Sequence, residues 1–340
     1  MKTIYVIINE KIYQDKNFYF CENKDISSIV NYFSSKYNLF VISRYSNSIK
    51  PFKLDKVYKI FNLRLIEIFY LFTLFFQNKK KKKILIISIT PFNFLIFYLF
   101  KYFFDCKFYL YLRSNGYEEY ENILGKRYIW IYDLMYRYIT KYSEVISCHK
   151  RLYKKKCHIV YPSELNSNWT KKIKKNYFKN NIINILYVGR FKIEKGIYSL
   201  LNLFSKLPEN YRLTLVGDGD PIKITDNRVK IINFINIEKK LIDLYDHCNI
   251  VILPSYTEAH PKVIDESLSR MRPVIVFDNI KYVINNRYGV FSIKRDVFQL
   301  KKIINFILIN NQLINNQMKK NHLPKRNNFL KNLSKIISKD

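Results

Sequence analysis

Short, wholly apolar runs alternate along much of the chain with stretches in which apolar residues recur every three or four positions. The runs have the character of strands buried on both faces of a parallel sheet, and the periodic stretches that of the helices covering it. In the first half the pattern predicts strands at 4–8, 39–43, 84–89, 107–112 and 144–147, with long helices over about 60–78 and 127–142. In the second half it predicts strands at 183–188, 212–216, 229–234, 249–253 and 273–277, with helices at 197–206, 238–247 and 261–270. The helix at 197 shows the period cleanly, since Ile197, Leu200, Leu201 and Phe204 fall at i, i+3, i+4 and i+7. Residues 163–180 are polar and basic with little periodicity, and read as a connector. Two successive β/α alternations imply two doubly wound domains, with the cleft between them as the expected ligand site.

Two stretches, 60–77 and 84–104, are apolar enough to raise the question of membrane spans. The first contains Arg64 and Glu67, and the second is broken by Ser88, Thr90, Pro91, Asn93 and Lys101. The second divides more naturally into a strand at 84–89, a turn at Thr90-Pro91 and an apolar helix at 92–104. With the strand at 107 this is a parallel β-α-β unit. The expectation is a soluble domain with an apolar, basic face toward a membrane, and no spanning helix.

Composition narrows the class. The 340 residues are 48% hydrophobic and 17% aromatic, enough to build substantial cores, so wholesale disorder is excluded. With only 7 Gly and 9 Pro, collagen-like or linker-like sequence is excluded as well. Cys21, Cys106, Cys148, Cys157 and Cys248 form neither a C-x-x-C pair nor a zinc-spaced cluster, which fits reduced thiols in a cytosolic protein. The opening MKTIYVIINEK holds an apolar run too short for a signal peptide.

The formal net charge is +32, unevenly placed. Residues 201–300 carry 14 basic and 12 acidic side chains, whereas 150–180 carry ten and one, and 301–340 nine and one. No duplex-reading motif accompanies the basic segments, so nucleic acid is not an expected partner. Two readings of the excess stand: drift in an AT-rich genome, which also favours Lys, Asn, Ile and Tyr, or attraction to an anionic membrane surface.

Five of the seven glycines lie between 189 and 289, and most of these fall at the ends of expected strands. Gly189 closes NILYVG, Gly196 opens the helix at 197, and Gly217 and Gly219 sit in VGDGD. Strand C-terminal ends are where open α/β sheets bind ligands, although each glycine alone is also an ordinary turn residue. Arg190 and Lys195 flank the helix entrance, where cations, backbone N–H groups and the helix dipole act together on a diphosphate. Further on, Glu258 lies in a loop after a strand, and Glu266 lies on the helix that Pro261 can open. Carboxylates accept hydrogen bonds from sugar and ribose hydroxyls, so the pair suits a nucleotide sugar; the alternative for Glu266 is a solvated helix face.

These residues resemble the nucleotide-sugar domain of the retaining GT-B glycosyltransferases of family 4 (glycosyl transferases group 1). The matching segments are YVGR at 187–190, KG at 195–196, LVGDGD at 215–220, LYDHCNIVILPS at 244–255, E-x7-E from Glu258 to Glu266, PVIVF at 273–277 and GVF at 289–291. The resemblance implies an α/β GT-B fold of two Rossmann-like doubly wound domains facing a cleft. They would be an acceptor-side domain at 1–165 and a donor domain at 166–310, with a helical tail at 311–340 returning toward the first. It implies catalytic roles for Arg190 and Lys195 on the departing diphosphate and for Glu258 near the donor sugar. It implies donor binding by Gly189, Gly217, Ala259, His260 and Glu266, with Glu266 on the ribose. The implied mechanism is retaining, with no metal and no cofactor beyond the nucleotide-sugar co-substrate.

The sequence departs from the family pattern in three places. Ala259-His260-Pro261 replaces a small-aromatic-small loop, Met271 stands where glycine is preferred, and no glycine occurs between 231 and 236. These bear on donor identity more than on the reaction. His260 either contacts the donor or packs. Asp218-Gly219-Asp220 is also a D-x-D, which would bind a metal in the other large glycosyltransferase fold. In the first domain YLRSNGYEEYE at 111–121 follows a strand and offers Arg113 and Asn115 to the acceptor, the plainer alternative being that Arg113 pairs with Glu118 or Glu119. The family often carries a histidine in that region, and here there is none.

The expected function is sugar transfer from a nucleotide-sugar donor to a glycan or lipid-linked acceptor in cell-envelope polysaccharide biosynthesis, in the cytoplasm at the inner face of the membrane. The rival readings are a catalytically weakened sugar-nucleotide-binding protein and a basic nucleic-acid binder.

Overall fold

The computed structural model describes residues 2–55, 59–62, 73, 81–174 and 182–339. They form two compact units, Met1–Pro162 with Arg326–Asp340, and Ser163–Lys325.

The first unit is built on β1 (Thr3–Asp15), β2 (Phe18–Cys21), β3 (Asn38–Ser46), β4 (Phe52–Leu54), β5 (Lys59–Asn62), β6 (Lys82–Ile87), β7 (Cys106–Leu112), β8 (Ser143–Ser147) and β9 (His158–Ile159). Parallel pairing runs β5-β3-β1-β6-β7-β8-β9. The centre of this sheet is fully buried: Val6, Ile7, Leu85, Ile86, Tyr109 and Leu110 are at 0% exposure, so their continuous apolar runs report burial on both faces. Helices α1 (Lys24–Ser34), α2 (Pro91–Phe103), α3 (Gly116–Leu124) and α4 (Ile129–Lys141) accompany it. Thr90 caps α2 through its side chain, which accepts from the Asn93 N–H, with Pro91 opening the helix.

Several features differ from the sequence pattern, helix α1 and the short strands β4 and β9 among them, which were not expected. Strand β1 runs past residue 8 to Asp15 and folds back antiparallel on β2, with Tyr13 opposite Phe20. The polar stretch at 9–15 has little hydrophobic signal, and its extended form is set by cross-strand pairing. Residues Lys59–Asn62 pair with β3 as a strand where a helix was expected, and the rest of that expected helix over about 60–78 lies outside the described residues, Thr73 apart. Helix α3 was not foreseen; it begins at Gly116, where a Cβ would collide with the Tyr132 ring of α4.

The second unit holds α5 (Ser167–Thr170), β10 (Ile183–Val188), α6 (Ile197–Phe204), β11 (Tyr211–Val216), β12 (Val229–Ile232), α7 (Glu238–His247), β13 (Ile250–Leu253), α8 (Lys262–Ser269), β14 (Val274–Phe277), β15 (Val290–Ile293), α9 (Val297–Ile309) and α10 (Asn311–Met318). Its strands are parallel in the order β12-β11-β10-β13-β14-β15. Numbered along the unit this is 3-2-1-4-5-6, the doubly wound order whose switch point lies between β10 and β13. Strands IVIL and VIVF are buried at every position, which fits their place in the middle of the sheet. The final helix, α11 (Arg326–Ser338), belongs to the first unit. There it buries Phe329, Leu333 and Ile337, and Arg326 Nη2 donates to Ser28 Oγ at 2.9 Å.

Behind the second sheet, two arginines are almost entirely enclosed. Arg270, at 1% exposure, forks onto Asp246 with Nε at 2.8 Å and Nη2 at 2.7 Å, and its Nη groups also serve the carbonyls of Trp169, Lys171 and Lys172. Arg272, at 0%, donates to the carbonyls of Tyr245, Asp246, Lys174, Arg270 and Met271. Between them Met271 has φ 56°, a left-handed conformation that costs an L-residue about 1–2 kcal/mol. Glycine adopts this conformation without that cost, and here the anchored arginines on either side flank Met271 in it. Part of the connector expected at 163–180 is therefore ordered against the second sheet, and 175–180 lies outside the described residues.

Candidate functional site

The switch point of the second sheet gathers the strand ends that carry the expected site residues. After β10 come Gly189 and Arg190, then a 3-10 turn at Ile193–Lys195, and Gly196 opens α6. Gly196 has φ 71°, and a Cβ there would collide with the Pro254 carbonyl oxygen. The α6 N-terminus is thereby pressed against the end of β13. The Tyr256 N–H donates to Glu194 O at 2.9 Å, a second tie between the two loops.

Across this seam Lys195 Nζ stands 2.6 Å from Glu258 Oε1, with their side chains only 19% and 12% exposed. Ser255 Oγ donates to the same Glu258 oxygen at 2.7 Å. Tyr282 exchanges hydrogen bonds with the Glu258 backbone, its hydroxyl donating to the carbonyl at 2.6 Å and accepting from the N–H at 3.2 Å. The loop carboxylate is therefore fixed in place by backbone and side chain alike. Arg190 is 67% exposed and lies 3.9 Å from Glu194 Oε1, so its guanidinium is left facing solvent beside the turn.

Glu266 sits on α8 with 9% exposure, so the solvated-face reading does not hold. Its Oε2 accepts from the Tyr245 hydroxyl at 2.8 Å. Burial, then the adjacent Glu266 carboxylate, push the Tyr245 phenol well above its ordinary range, which keeps it a donor to Glu266.

His260 turns inward: its side chain is 4% exposed and Nε2 lies 3.1 Å from Asp265 Oδ2, while Asp265 Oδ1 is 3.0 Å from Arg287 Nε. The chain of contacts runs from the loop Ala259-His260-Pro261 through Asp265 of α8 to Arg287. Pro261 is the N-cap of α8, and the helix begins at Lys262.

The glycines of VGDGD serve the protein's own backbone. Gly189 N donates to Val216 O at 2.9 Å, Phe191 N to Asp218 O at 2.7 Å, and Asp220 N to Phe191 O at 2.9 Å. Added Cβ atoms at Gly217 and Gly219 would strike Gly189 O and the Phe191 backbone. Gly217 thus lets the end of β11 approach that of β10. In the D-x-D segment Asp220 Oδ1 is 2.8 Å from Lys192 Nζ. Among the described residues no group of three or more His, Cys, Asp or Glu side chains is placed to hold a metal ion.

Arg113 and Asn115 belong to the first unit, at the end of β7. Arg113 pairs with neither Glu118 nor Glu119: its Nη2 is 2.8 Å from Asp25 Oδ2 at the start of α1, and the Asp25 side chain is 5% exposed. Glu118 and Glu119 lie in the first turn of α3, whose N-terminal dipole favours acidic side chains, whereas Asp25 faces Arg113 across the sheet edge. Burial pushes the neighbouring Glu10 carboxyl up, partly offset by Arg113. Asn115 stands at the N-cap position of α3 without a side-chain capping bond.

Ser255, Tyr282 and Arg295 were not singled out by sequence. Ser255 lay in the quoted LPS segment without a role, and the other two reach the loop from later elements, where no local pattern marks them.

Residues 169–323 match the family model described as glycosyl transferases group 1. A stretch of 93 residues, 27% of this chain, is 31% identical to the putative teichuronic acid biosynthesis glycosyltransferase TuaC of Bacillus subtilis (strain 168), and covers 24% of that protein's length. Among solved structures, the fold is similar to HepE of Anabaena in complex with UDP and glucose (TM-score 0.69, 12% identity, 100% of both chains). It is also similar to sucrose-phosphate synthase of Thermosynechococcus elongatus (TM-score 0.68, 15% identity, 99% of this chain and 95% of that one). A third such structure is WaaG, a glycosyltransferase involved in lipopolysaccharide biosynthesis (TM-score 0.65, 14% identity, 99% and 100%). The chain therefore has the GT-B fold, and most of its second unit matches the model of the glycosyl transferases group 1.

Proposed function

We propose that this chain is a retaining glycosyltransferase that moves a sugar from a nucleotide-sugar donor to a glycan or lipid-linked acceptor in cell-envelope polysaccharide assembly. The observation that carries the reading is the Lys195–Glu258 pair at the switch point, beside the α6 N-terminus. Breaking the bond from the anomeric carbon to the diphosphate leaves charge on the departing phosphate oxygens. Lys195, the exposed Arg190 and the first N–H groups of α6 stabilise that charge together. The incoming phosphate competes with Glu258 for Lys195, which frees the Glu258 carboxylate for the donor sugar's hydroxyls. Glu266, braced by Tyr245, accepts from the ribose. This division of labour needs no metal, and the pairing of Asp220 with Lys192 agrees with that. The similarity to TuaC, a putative teichuronic acid biosynthesis glycosyltransferase, and to WaaG, involved in lipopolysaccharide biosynthesis, and the UDP in the HepE complex support the same reading.

Thermal unfolding in the presence of UDP, GDP or CMP, with and without EDTA, tests the donor site. One nucleotide at about 100 times its Kd is expected to add about 2.7 kcal/mol. For a domain of this size that raises Tm by roughly 5–10 °C. The shift is expected to persist in EDTA and to disappear in Glu266→Ala. A shift that required a divalent metal would return the site to Asp218 and Asp220, and no shift with any nucleotide would remove the donor reading.

Among the described residues no helix is long and apolar enough to cross a membrane. The first unit nevertheless exposes Leu95, Tyr98 and Tyr102 on α2, Ile123 on α3, and Trp130 and Leu134 on α4. Helices α2 and α4 adjoin through Tyr98 and Tyr138, 5.8 Å between ring centroids, and Lys101, Lys126, Arg127 and Lys141, on these helices or in the turn before α4, are exposed. Apolar side chains accompanied by cations fit an anionic bilayer, each cation adding about 1 kcal/mol near the surface. This surface supports our proposal that the protein associates with the inner face of the cell membrane. Co-sedimentation is expected with vesicles containing anionic lipid and not with neutral ones, accompanied by a blue shift of tryptophan emission. The double variant Trp130→Ser/Leu134→Ser is expected to weaken binding at least about tenfold, and binding unchanged by it would exclude this face.

A further inference from the structure

We infer that Arg295 is a positioning residue for the transfer reaction: its guanidinium sets the loop from which Glu258 meets Lys195. The inference rests on the transferase reading above and extends it to a residue that touches none of the proposed donor groups.

Arg295 follows the last strand of the second sheet and reaches back across the sheet end to β13. Its Nη2 donates to Pro254 O at 2.5 Å and to Ser255 O at 3.1 Å, Nη1 to Ser199 Oγ at 3.3 Å, and Nε to Asn279 Oδ1 at 3.0 Å. The planar fork thus binds the end of β13, the first turn of α6 and the segment after β14 at once. Two aromatic rings pack against it as well, with Cζ 4.0 Å from the Tyr256 ring centroid and 4.5 Å from that of Phe277.

The route from this clamp to the chemistry is short. Pro254 and Ser255 are buried, so their carbonyls depend on a protein donor, and Arg295 supplies it. Ser255, anchored through its carbonyl, aims its hydroxyl at the Glu258 oxygen that Lys195 also holds. The Pro254 carbonyl is also the atom against which Gly196 packs, so the same clamp sets the gap between β13 and the α6 N-terminus. A cation this close to a helix N-terminus is unfavourable by charge alone. Burial separately lowers the Arg295 pKa, opposed by Tyr256. The residue is retained here for its donor geometry, with four of its hydrogen bonds given to carbonyl, hydroxyl and amide oxygens. A lysine keeps the charge but offers neither the fork nor the flat faces.

The test compares wild type, Arg295→Lys and Arg295→Met by the release of nucleoside diphosphate from the donor that stabilises the wild type, alongside donor KM and thermal unfolding. A misplaced carboxylate at the reacting centre is expected to lower kcat on the order of 10²-fold in both variants. Donor KM is expected to change by less than about threefold, because Glu266 and the α6 N–H groups remain. Hydrogen exchange adds a readout independent of turnover: the Tyr256 and Glu258 amides are expected to exchange at least about tenfold faster in Arg295→Met. Recovery of kcat in Arg295→Lys would show that charge and not geometry matters, and would overturn the inference. So would unchanged kcat in both variants, or a loss confined to KM. Absence of release by the wild type with every donor would instead overturn the transferase reading, and this inference would fall with it.

Discussion

Replacing Lys195 with methionine is expected to lower kcat by about 10²–10³-fold, the loss that follows removal of one well-placed donor to developing negative charge. The effect is large because of where Lys195 stands. Its ammonium is mostly enclosed and held 2.6 Å from Glu258, so no solvent rearrangement is needed before it meets a phosphate oxygen. Arg190 is expected to matter less, because at 67% exposure its charge is screened. Methionine in place of Lys195 also strands the Glu258 carboxylate in a largely enclosed site with only Ser255 donating to it. Unfolding measurements on Lys195→Met and Lys195→Met/Glu258→Gln separate the two consequences. The double variant is expected to regain stability lost by the single one, while kcat stays low in both. A Lys195→Met protein within fivefold of wild-type kcat, a bound about twentyfold below the smallest loss expected, would remove Lys195 from the proposed mechanism.

The largest expected effect on stability comes from a residue remote from that pair. Arg270→Met removes the partner of the buried Asp246 and three carbonyl contacts to the 169–172 segment at once. Breaking a buried ion pair on one side costs about 3–5 kcal/mol, because the remaining charge stays desolvated. In a unit of this size that lowers Tm by roughly 6–20 °C. Replacing both partners, Arg270→Met with Asp246→Leu, is expected to recover part of the loss, since two apolar groups leave no stranded charge. Thermal unfolding of the three variants forms the test, and additive losses would show that the pair is not coupled. The carbonyls of Trp169, Lys171 and Lys172 lose the Arg270 donors in the double variant as in Arg270→Met, so full recovery is not expected.

The two predictions depend on different kinds of information. Lys195 and Glu258 were legible as candidates because each lies next to a strong local signal: Gly196 at a helix entrance, and PS closing an apolar strand. The importance of Arg270 and Arg272 was not legible. Two arginines flanking a methionine after a helix look like surface charge until the 169–174 segment is folded onto them. The same holds for Arg113, whose expected partners were acidic residues five and six positions away in the sequence, while its partner in the structure, Asp25, is 88 positions away. His260 was left between contact and packing, and in the structure it turns inward onto Asp265, the carboxylate that Arg287 also holds.

By itself, the sequence determined the α/β class, the alternation of elements and the strand ends at which glycines, cations and carboxylates collect. These are local properties: apolar runs follow from burial on both faces of a strand, helix entrances from unpaired N–H groups, and tight approaches from the absence of a Cβ. The tertiary structure alone decided which charges meet, how far β1 extends, that Met271 adopts a left-handed conformation, and which distant arginine sets the loop of Glu258. Those outcomes depend on contacts between residues tens of positions apart, whose partners are selected by the requirement that each buried polar group find a donor or acceptor. That requirement acts only after the chain has closed around them.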